Sequence, residues 1–403
     1  MAVGLSAPSD LLPVSGIKLA ATSAGIRYKN RNDLVLIQVA EGAQVAGVFT
    51  RNAFCAAPVI VARRHLSQTM PRCLLINSGN ANAGTGEGGI SNANATCAMV
   101  AEQAGCRSQE VLPFSTGVIG EPLPVGVIEA AIPELIQQAD ESGWMVAARA
   151  IMTTDTLPKA VSESVTLSGG SVVITGIAKG AGMIRPDMAT MLGFIGTDAK
   201  LDASSIQAMH LEAVQQSFNR VTVDGDTSTN DSCILMATGQ SGVAPEDDHD
   251  RAVFQQGLNR VYRHLAQALV RDAEGATKFV EIHVEEARDE QEALNVAYTV
   301  AHSPLVKTAL FASDPNWGRI LAAVGRSGIE NMDVDRVSID LGDVRIVEGG
   351  GRAASYTEAQ GQKVMDQDEI SIIIRLGRGD ARTTVWTSDL SFDYVKINAE
   401  YRS

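Results

Sequence analysis

Short apolar runs that end at glycine or asparagine recur along this 403-residue chain, and they constrain its fold more than any other feature. Leu34 to Ala40, Ala46 to Thr50 and Cys73 to Gly79 are runs of this kind, and their length and flanking residues predict β-strands. The chain has 37 glycines and only 4% aromatic residues. Its core must therefore consist mainly of Ala, Val, Ile and Leu between tight turns, which favours a fold that mixes strands with helices.

Helical spacing follows the first strands. Apolar residues recur every three or four positions from Asn92 to Ala104 and from Val125 to Gln138, which predicts two helices. Pro133 should kink or restart the second helix. A hairpin is predicted next, because Ser164 to Ala178 alternates apolar and polar residues around Gly169-Gly170, a pair that can supply the positive φ angles of a tight turn.

The second half continues the mixture of strands and helices. Helices are predicted over 202–220, 251–272 and 290–300, with one alternating strand over 278–287. The acidic run 246–250 is typical of a solvated loop before a helix. The last third is predicted to contain successive strands, in the segments RVSIDL, VRIVEGGG, ISIIIRLGRG and TTVWTSDLSFDYV. The expected fold class is therefore α/β, in the sense of mixed α and β layers.

Charge and hydropathy exclude two classes of partner. The chain carries 47 acidic and 33 basic side chains, a net charge of −14, and it has no basic cluster, which disfavours nucleic-acid binding. No apolar run reaches the length of a membrane-spanning helix. The first residues lack the basic-then-apolar pattern of a signal peptide, so a cytoplasmic location is expected.

The side chains that usually bind metals form no recognisable pattern. Five cysteines are scattered without a CxxC pair, and six histidines match no HExxH or His-x-His spacing. Reduced structural thiols are expected, and neither a metal site nor an organic cofactor is predicted.

One glycine-rich segment suggests covalent chemistry. Lys179 to Leu192, KGAGMIRPDMATML, places Thr190 just before an apolar stretch. A threonine hydroxyl becomes a good nucleophile if the chain is cut directly before it, because the freed α-amine, with a pKa of about 8, can act as its general base. The hydroxyl could make the cut itself by attacking the Ala189 carbonyl. An ordinary loop is the alternative interpretation.

A second segment could stabilise the oxyanion that acyl transfer produces. In Pro113 to Pro122, PFSTGVIGEP, a predicted strand ends at Thr116 and Gly117. These residues offer a hydroxyl and an unhindered backbone N–H to a substrate carbonyl. An ordinary turn is again the alternative.

The order of these segments resembles the ornithine acetyltransferase (glutamate N-acetyltransferase) family of arginine biosynthesis. The resemblance covers essentially the full chain. It is carried by GIRYKNRNDLVLIQ, AGVFTRN, NSGNANAGTGEGG, STGVIGEPLP, IMTTDTLPK, KGAGMIRPDMATML, DGDTSTNDS, DAEGATKF, SPLVKTALFASDPNWGRI and INAEYRS. It implies a precursor that cleaves itself between Ala189 and Thr190. An α chain of residues 1–189 and a β chain of residues 190–403 would result, which the resemblance further implies assemble as two α and two β chains.

The resemblance also assigns roles to individual residues. It implies that Thr190 is the nucleophile, that Thr116 and Gly117 form the oxyanion hole, and that a further set of side chains binds substrate. That set is Thr153 (with Thr154 as the nearest alternative), Lys179, Thr190, Glu274, Asn398 and Ser403. A cation such as Lys179 and an anion such as Glu274 suit an acetylated amino acid that carries both charges. Glu274 could instead be a solvated charge, and the C-terminal residues could fray.

The implied reaction is a ping-pong acetyl transfer without metal or cofactor. N-acetylornithine would acetylate Thr190, ornithine would leave, and glutamate would accept the acetyl group. Acetyl-CoA could serve as a second donor. The alternatives are an amidase or aminopeptidase with an N-terminal nucleophile, in which water accepts the acyl group, and a non-catalytic amino-acid-binding protein that keeps the fold without cleaving. The segments DPNWGRI and STNDS are interpreted as structural or assembly elements.

Overall fold

The computed structural model describes residues 2–185 and 191–400, and these form a mixed α and β fold, which confirms the expected class. Within this part of the chain, no helix combines the length and apolar character needed to cross a membrane. The strands are β1 Ile17–Thr22, β2 Leu34–Val39, β3 Gln44–Phe49, β4 Cys73–Asn80, β5 Val111–Val118, β6 Lys159–Leu167, β7 Gly170–Lys179, β8 Leu192–Thr197, β9 Ser232–Ala237, β10 Phe279–Ala287, β11 Ser338–Leu341, β12 Val344–Glu348, β13 Gly351–Arg352, β14 Glu369–Arg375 and β15 Ala381–Ser388.

Helices separate most of these strands along the chain. They are α1 Ala57–Gln68, α2 Gly86–Ala104, α3 Val125–Gln138, α4 Trp144–Ala150, α5 Ala203–Gln215, α6 Asp248–Arg271, α7 Glu290–Ala301, α8 Pro304–Phe311, α9 Trp317–Gly325, α10 Glu358–Met365 and α11 Phe392–Ala399.

The described residues fall into two compact units. The N-terminal unit comprises Ala7–Asn219 and Asp226–Leu269, and the C-terminal unit comprises the described parts of Met1–Ser6, Arg220–Gly225 and Val270–Ser403. The N-terminal unit therefore contains residues from both sides of the expected 189/190 junction. The division into chains of residues 1–189 and 190–403 stays a prediction.

Two sheets pack face to face inside the N-terminal unit. One has the strand order β1-β2-β4-β5 and the other β3-β9-β8-β7-β6. Their facing side chains form one buried core, in which Phe114 of β5 meets Phe194 of β8 edge to face at 5.1 Å. Helices α2 and α3 cover the outer face of the first sheet. The interleaving of apolar strands and helices thus produces layers, as expected from the sequence.

The C-terminal unit has a single sheet with the order β13-β12-β11-β14-β10-β15. Helix α7 packs on β10 and β15, and α8, α9 and α10 complete the apolar core on that face. DPNWGRI, interpreted from sequence as structural, begins helix α9, whose N-cap Asn316 accepts a hydrogen bond from Arg319 N.

Some expectations need correction. Helix α3 runs through Pro133 without the expected restart. Proline has no N–H, so the carbonyl of Glu129 loses its helical hydrogen-bond donor. Both residues are exposed, so water can bond to that carbonyl instead. The hairpin is confirmed, but the register Leu167↔Gly170 makes Ser168 and Gly169 the turn residues.

Two polar segments also differ from expectation. Helix α6 begins at Asp248, inside the acidic run 246–250. The run is exposed as expected except for Asp250, which is buried and accepts hydrogen bonds from Ser168. The predicted last strand ends at Ser388. Its continuation forms α11, capped by Ser391, whose hydroxyl accepts from Tyr394 N.

Candidate active site

The expected oxyanion-hole residues lie at the end of strand β5. Thr116 is buried, and Gly117 follows it with φ +134°. A Cβ on Gly117 would lie 2.3 Å from the carbonyl carbon of Gly79, which pairs with it from β4. Only glycine fits this close approach of two backbones. The backbone at Gly117 is therefore fixed by packing.

A network of buried amides holds this strand end. Asn77 accepts a hydrogen bond from Ser115 Oγ at 2.5 Å and donates to Asn80 O at 2.8 Å. Asn230 donates to Ser115 O at 2.9 Å and to Ala81 O at 2.6 Å. The STNDS segment is thus structural, as expected, because it anchors the strand that carries Thr116 and Gly117.

Lys179 reaches Thr116 from the neighbouring sheet. It ends strand β7, is 9% exposed, and its Nζ donates to Thr116 Oγ1 at 3.2 Å. Because the Thr116 oxygen accepts from Lys179, its own O–H can donate elsewhere. A cation and a hydroxyl therefore converge where a developing oxyanion would need them.

A buried carboxylate organises the chain around Lys179. Asp155 accepts hydrogen bonds from Lys159 Nζ at 2.6 Å, from Gly180 N at 2.7 Å and from Thr153 N at 3.0 Å. Burial opposes its charge, but Lys159 and Lys179 outweigh that effect and hold the pKa of Asp155 well below its usual range. Asp155 thereby connects the TTDT segment to Gly180, the residue that follows Lys179. Thr153, in the same segment, is half-buried.

The segment expected to carry the nucleophile connects two paired strands. Lys179, the last residue of β7, pairs with Leu192, the first residue of β8. Ala189 and Thr190 lie between them in the sequence and outside the described residues. The described strand ends on both sides of Thr190 thus belong to the sheet that carries Lys179.

The C-terminal unit brings together two of the other expected substrate-binding residues. Asn398 Nδ2 donates to Glu274 Oε2 at 2.8 Å, and Glu274 is 9% exposed. A Cβ on Gly275 would lie 2.5 Å from Tyr394 N, so glycine lets the turn at Glu274 approach helix α11 closely. Asn398 lies in that helix, and Ser403 lies outside the described residues.

Reasoning from sequence missed the groups that position this site. Asp155 and Lys159 lie in the segment IMTTDTLPK and Asn230 lies in DGDTSTNDS, whereas Asn77 lies in the predicted strand Cys73 to Gly79. Their signal was the unusual density of amide and carboxylate side chains next to predicted strand ends. Nothing in local spacing indicates which of them would be buried and paired.

Comparison with known proteins decides the family. Residues 18–403 match the ArgJ family. The chain belongs to the ArgJ family. The arginine biosynthesis bifunctional protein ArgJ of Pseudomonas fluorescens (strain Pf0-1) is 55% identical over 406 residues and both chains are covered completely. The ArgJ protein of Methylococcus capsulatus is 56% identical over 396 residues, which cover 98% of this chain and 97% of that protein.

Two solved structures align with part of the chain. The ArgJ protein of Bacillus halodurans is 37% identical with a TM-score of 0.48, covering 50% of this chain and 95% of that one. An ornithine acetyltransferase from Mycobacterium tuberculosis, solved in complex with ornithine, is 33% identical with a TM-score of 0.39, covering 44% and 94%. The family expected from the sequence motifs is confirmed by the match over residues 18–403 and by the full-length ArgJ relatives.

Proposed function

We propose that this ArgJ-family protein is a glutamate N-acetyltransferase that moves an acetyl group from N2-acetylornithine to L-glutamate. Family membership and the full-length bifunctional relatives support an acetyl-transferring enzyme of arginine biosynthesis. The observation that carries the site assignment is the convergence of Thr116, Gly117 and Lys179, in which Lys179 Nζ donates to Thr116 Oγ1 at 3.2 Å.

The proposed reaction has two acyl transfers on one nucleophile. Thr190 Oγ attacks the acetyl carbonyl while its α-amine takes the hydroxyl proton, and the Thr116 hydroxyl and Gly117 N–H stabilise the oxyanion. The intermediate collapses, the C–N bond breaks, and ornithine leaves with the proton on its nitrogen. The glutamate amine then attacks the acetyl ester and loses a proton to the α-amine of Thr190. The bond between the acetyl carbon and Thr190 Oγ breaks, the α-amine returns the proton to Oγ, and N-acetylglutamate departs.

The free α-amine requires self-cleavage between Ala189 and Thr190. We propose that this cut yields an α chain of residues 1–189 and a β chain of residues 190–403, and that two of each assemble. The pairing of Lys179 with Leu192 supports the idea that strands β7 and β8, on either side of the cut, stay paired in one sheet.

The remaining residues are proposed to select the substrate. Lys179 and Thr153 suit the carboxylate and acetyl-amide end, because they supply a cation and a hydroxyl in the N-terminal unit. Glu274, with Asn398 bonded to its carboxylate, suits the ornithine side-chain amine. Ser403 completes the proposed set.

The first test compares the intact masses of the wild-type chain and the Thr190→Ala variant, with N-terminal sequencing of any fragment. We expect two wild-type fragments, one beginning Thr-Met-Leu-Gly, and acetyl transfer from N-acetylornithine to glutamate. The Thr190→Ala chain should stay whole and inactive, because it lacks the nucleophilic hydroxyl. Thr190→Ser, which keeps a hydroxyl, is the matched control and should still cleave. A wild-type chain that stays whole would contradict the mechanism.

Product analysis separates the related activities. Free acetate in place of N-acetylglutamate would indicate an amidase in which water accepts the acetyl group. Full-length relatives are described as bifunctional, which favours acetyl-CoA as a second donor. That activity predicts N-acetylglutamate from acetyl-CoA and glutamate with no N-acetylornithine present.

A further inference from the structure

Asn398, which bonds to Glu274, lies in a short and exposed helix. Helix α11 has eight residues, none of which is buried. Its first residue, Phe392, meets Phe311 of α8 at 5.4 Å but stays 81% exposed. Helices this short are marginal in water unless tertiary contacts stabilise them. Polar contacts further along α11 must therefore hold Asn398 in place.

One such contact lies a helical turn before Asn398. The Tyr394 hydroxyl donates a hydrogen bond to Asp224 Oδ2 at 3.2 Å. Asn398 Nδ2 donates to Tyr394 O at 3.0 Å as well as to Glu274 Oε2 at 2.8 Å. Residues four positions apart lie on the same face of a helix. The carboxylates of Asp224 and Glu274 therefore hold one face of α11.

The segment that carries Asp224 is itself fixed within the C-terminal unit. Thr222 N donates to Trp386 O of strand β15 at 2.9 Å. The Thr222 hydroxyl shares a hydrogen bond with His302 Nε2, also at 2.9 Å. These bonds attach the backbone two residues before Asp224 to the sheet and to the end of helix α7. Asp224 is thus an acceptor whose position the sheet determines.

A buried ammonium group lies near Asp224. Lys307 is 4% exposed, and its Nζ donates to Thr387 Oγ1 at 3.1 Å. Burial lowers the pKa of Lys307 to about 8, and the charges of Asp389 and Asp224 oppose this effect. The attraction between Lys307 and Asp224 is a second interaction that keeps this carboxylate where Tyr394 reaches it.

We propose that Asp224 and Tyr394 are positioning residues for recognition of the donor's side-chain amine, an inference that rests on the proposed function. Their hydrogen bond keeps the last turn of α11 formed, so that Asn398 stays bonded to one oxygen of Glu274. That bond orients the carboxylate that accepts the protons of the amine. Without the bond to Asp224, α11 frays and Glu274 loses its orientation.

The test measures how well the enzyme recognises the amine. Tyr394→Phe removes the hydroxyl donor and keeps the ring. At constant glutamate concentration, we expect the KM for N-acetylornithine to rise roughly tenfold, with little change in kcat. The inhibition constant of N-acetylnorvaline, which has the same carbon chain without the amine, should stay nearly constant. A merely structural role predicts equal losses for both molecules.

Further variants separate this bond from general effects. Tyr356→Phe is the matched control, because the Tyr356 hydroxyl also donates to a carboxylate, that of Glu358, at 3.2 Å in the same unit, and both constants should stay unchanged. Asp224→Ala should reproduce the effect of Tyr394→Phe, and the double variant should lose no more than either single one, because both changes remove the same bond. Asp224→Asn keeps an acceptor oxygen and should recover much of the loss.

Amide hydrogen exchange gives a readout that does not depend on activity. Tyr394→Phe should speed exchange over residues 392–399 and leave helix α10 as protected as in the wild type. Unchanged exchange in α11, or a KM and an inhibition constant that move together, would overturn the inference. If thermal melting shows that Asp224→Ala does not fold, Tyr394→Phe decides. A wild-type enzyme that transfers no acetyl group would instead contradict the proposed function, and exchange would still show whether Tyr394 holds α11.

Discussion

Gly117 shows how strictly a single backbone position can be determined. Its φ of +134° is one that residues with a Cβ rarely adopt, and the space that a Cβ would need is taken by the Gly79 carbonyl group. The sequence indicated an unhindered backbone here. The structure adds that strand β4 excludes a side chain at Gly117, because Gly79 of β4 pairs with Gly117 of β5 next to a bulge at Asn80.

Gly117→Ala should therefore impair both folding stability and chemistry. We expect the backbone strain alone to cost about 1–3 kcal/mol, and displacement of the N–H to lower acetyl transfer roughly 100-fold or more. Gly126→Ala is the control, because a Cβ there meets nothing within 4 Å and its position in a helix favours alanine. Thermal melting and initial rates check both variants. An unchanged melting temperature and rate in Gly117→Ala would refute this account.

At the scale of elements, the segment between α4 and β6 is held by a buried ion pair. The side chains of Asp155 and Lys159 are both fully buried, with a separation of 2.6 Å. Asp155 also binds Gly180 N at the end of β7. This carboxylate thus connects the TTDT segment to the strand that presents Lys179, and its loss would affect the site as well as stability.

Asp155→Asn should destabilise the protein by about 3–5 kcal/mol, because it removes the carboxylate charge that pairs with the buried Lys159 ammonium group. Combining it with Lys159→Met removes both charges and should cost less than the sum of the two single changes. Urea unfolding measures the free energies. Arg251→Gln, which breaks a pair whose arginine is 53% exposed, should have no measurable effect. Strictly additive losses would show that the two charges are not coupled.

At the scale of the whole molecule, the proposed cut assigns the strands of one sheet to two chains, and strands of different chains remain adjacent in that sheet. In the order β3-β9-β8-β7-β6, strands β8 and β9 belong to the proposed β chain and the other three to the proposed α chain. Six residue pairs join β7 to β8, and six join β3 to β9. Both edges of the β-chain strand pair are therefore hydrogen-bonded to α-chain strands.

The two chains should stay together after cleavage. We expect them to co-elute in native size-exclusion chromatography and to separate only when denaturant unfolds the sheet. Phe194→Ala removes the contact with Phe114 across the core, so it should lower the denaturant concentration needed for separation, at a cost of about 3–5 kcal/mol. The variant Val127→Ala, at an exposed position, serves as the control. Separation of wild-type chains under native conditions would contradict the sheet as described.

Local signals in the sequence predicted much of this fold. Alternation and glycine flanks predicted β2, β3, β4 and the β6–β7 hairpin, because a strand's two-residue period is set within the strand itself. Helix α11 was missed, since its short apolar pattern continues directly from β15 and its cap at Ser391 acts over only three residues. The cytoplasmic location and the roles of the substrate-binding residues stay predictions.

The sequence by itself determined the family, the fold class and the identity of the residues proposed to carry the chemistry, because motif order and periodicity are properties of the linear chain. Only the tertiary structure decided which polar side chains support that chemistry. Asn230 reaches Ser115 across 115 positions, and Lys179 reaches Thr116 across 63 positions. The packing of the two sheets creates these neighbours, so no local pattern could have predicted them.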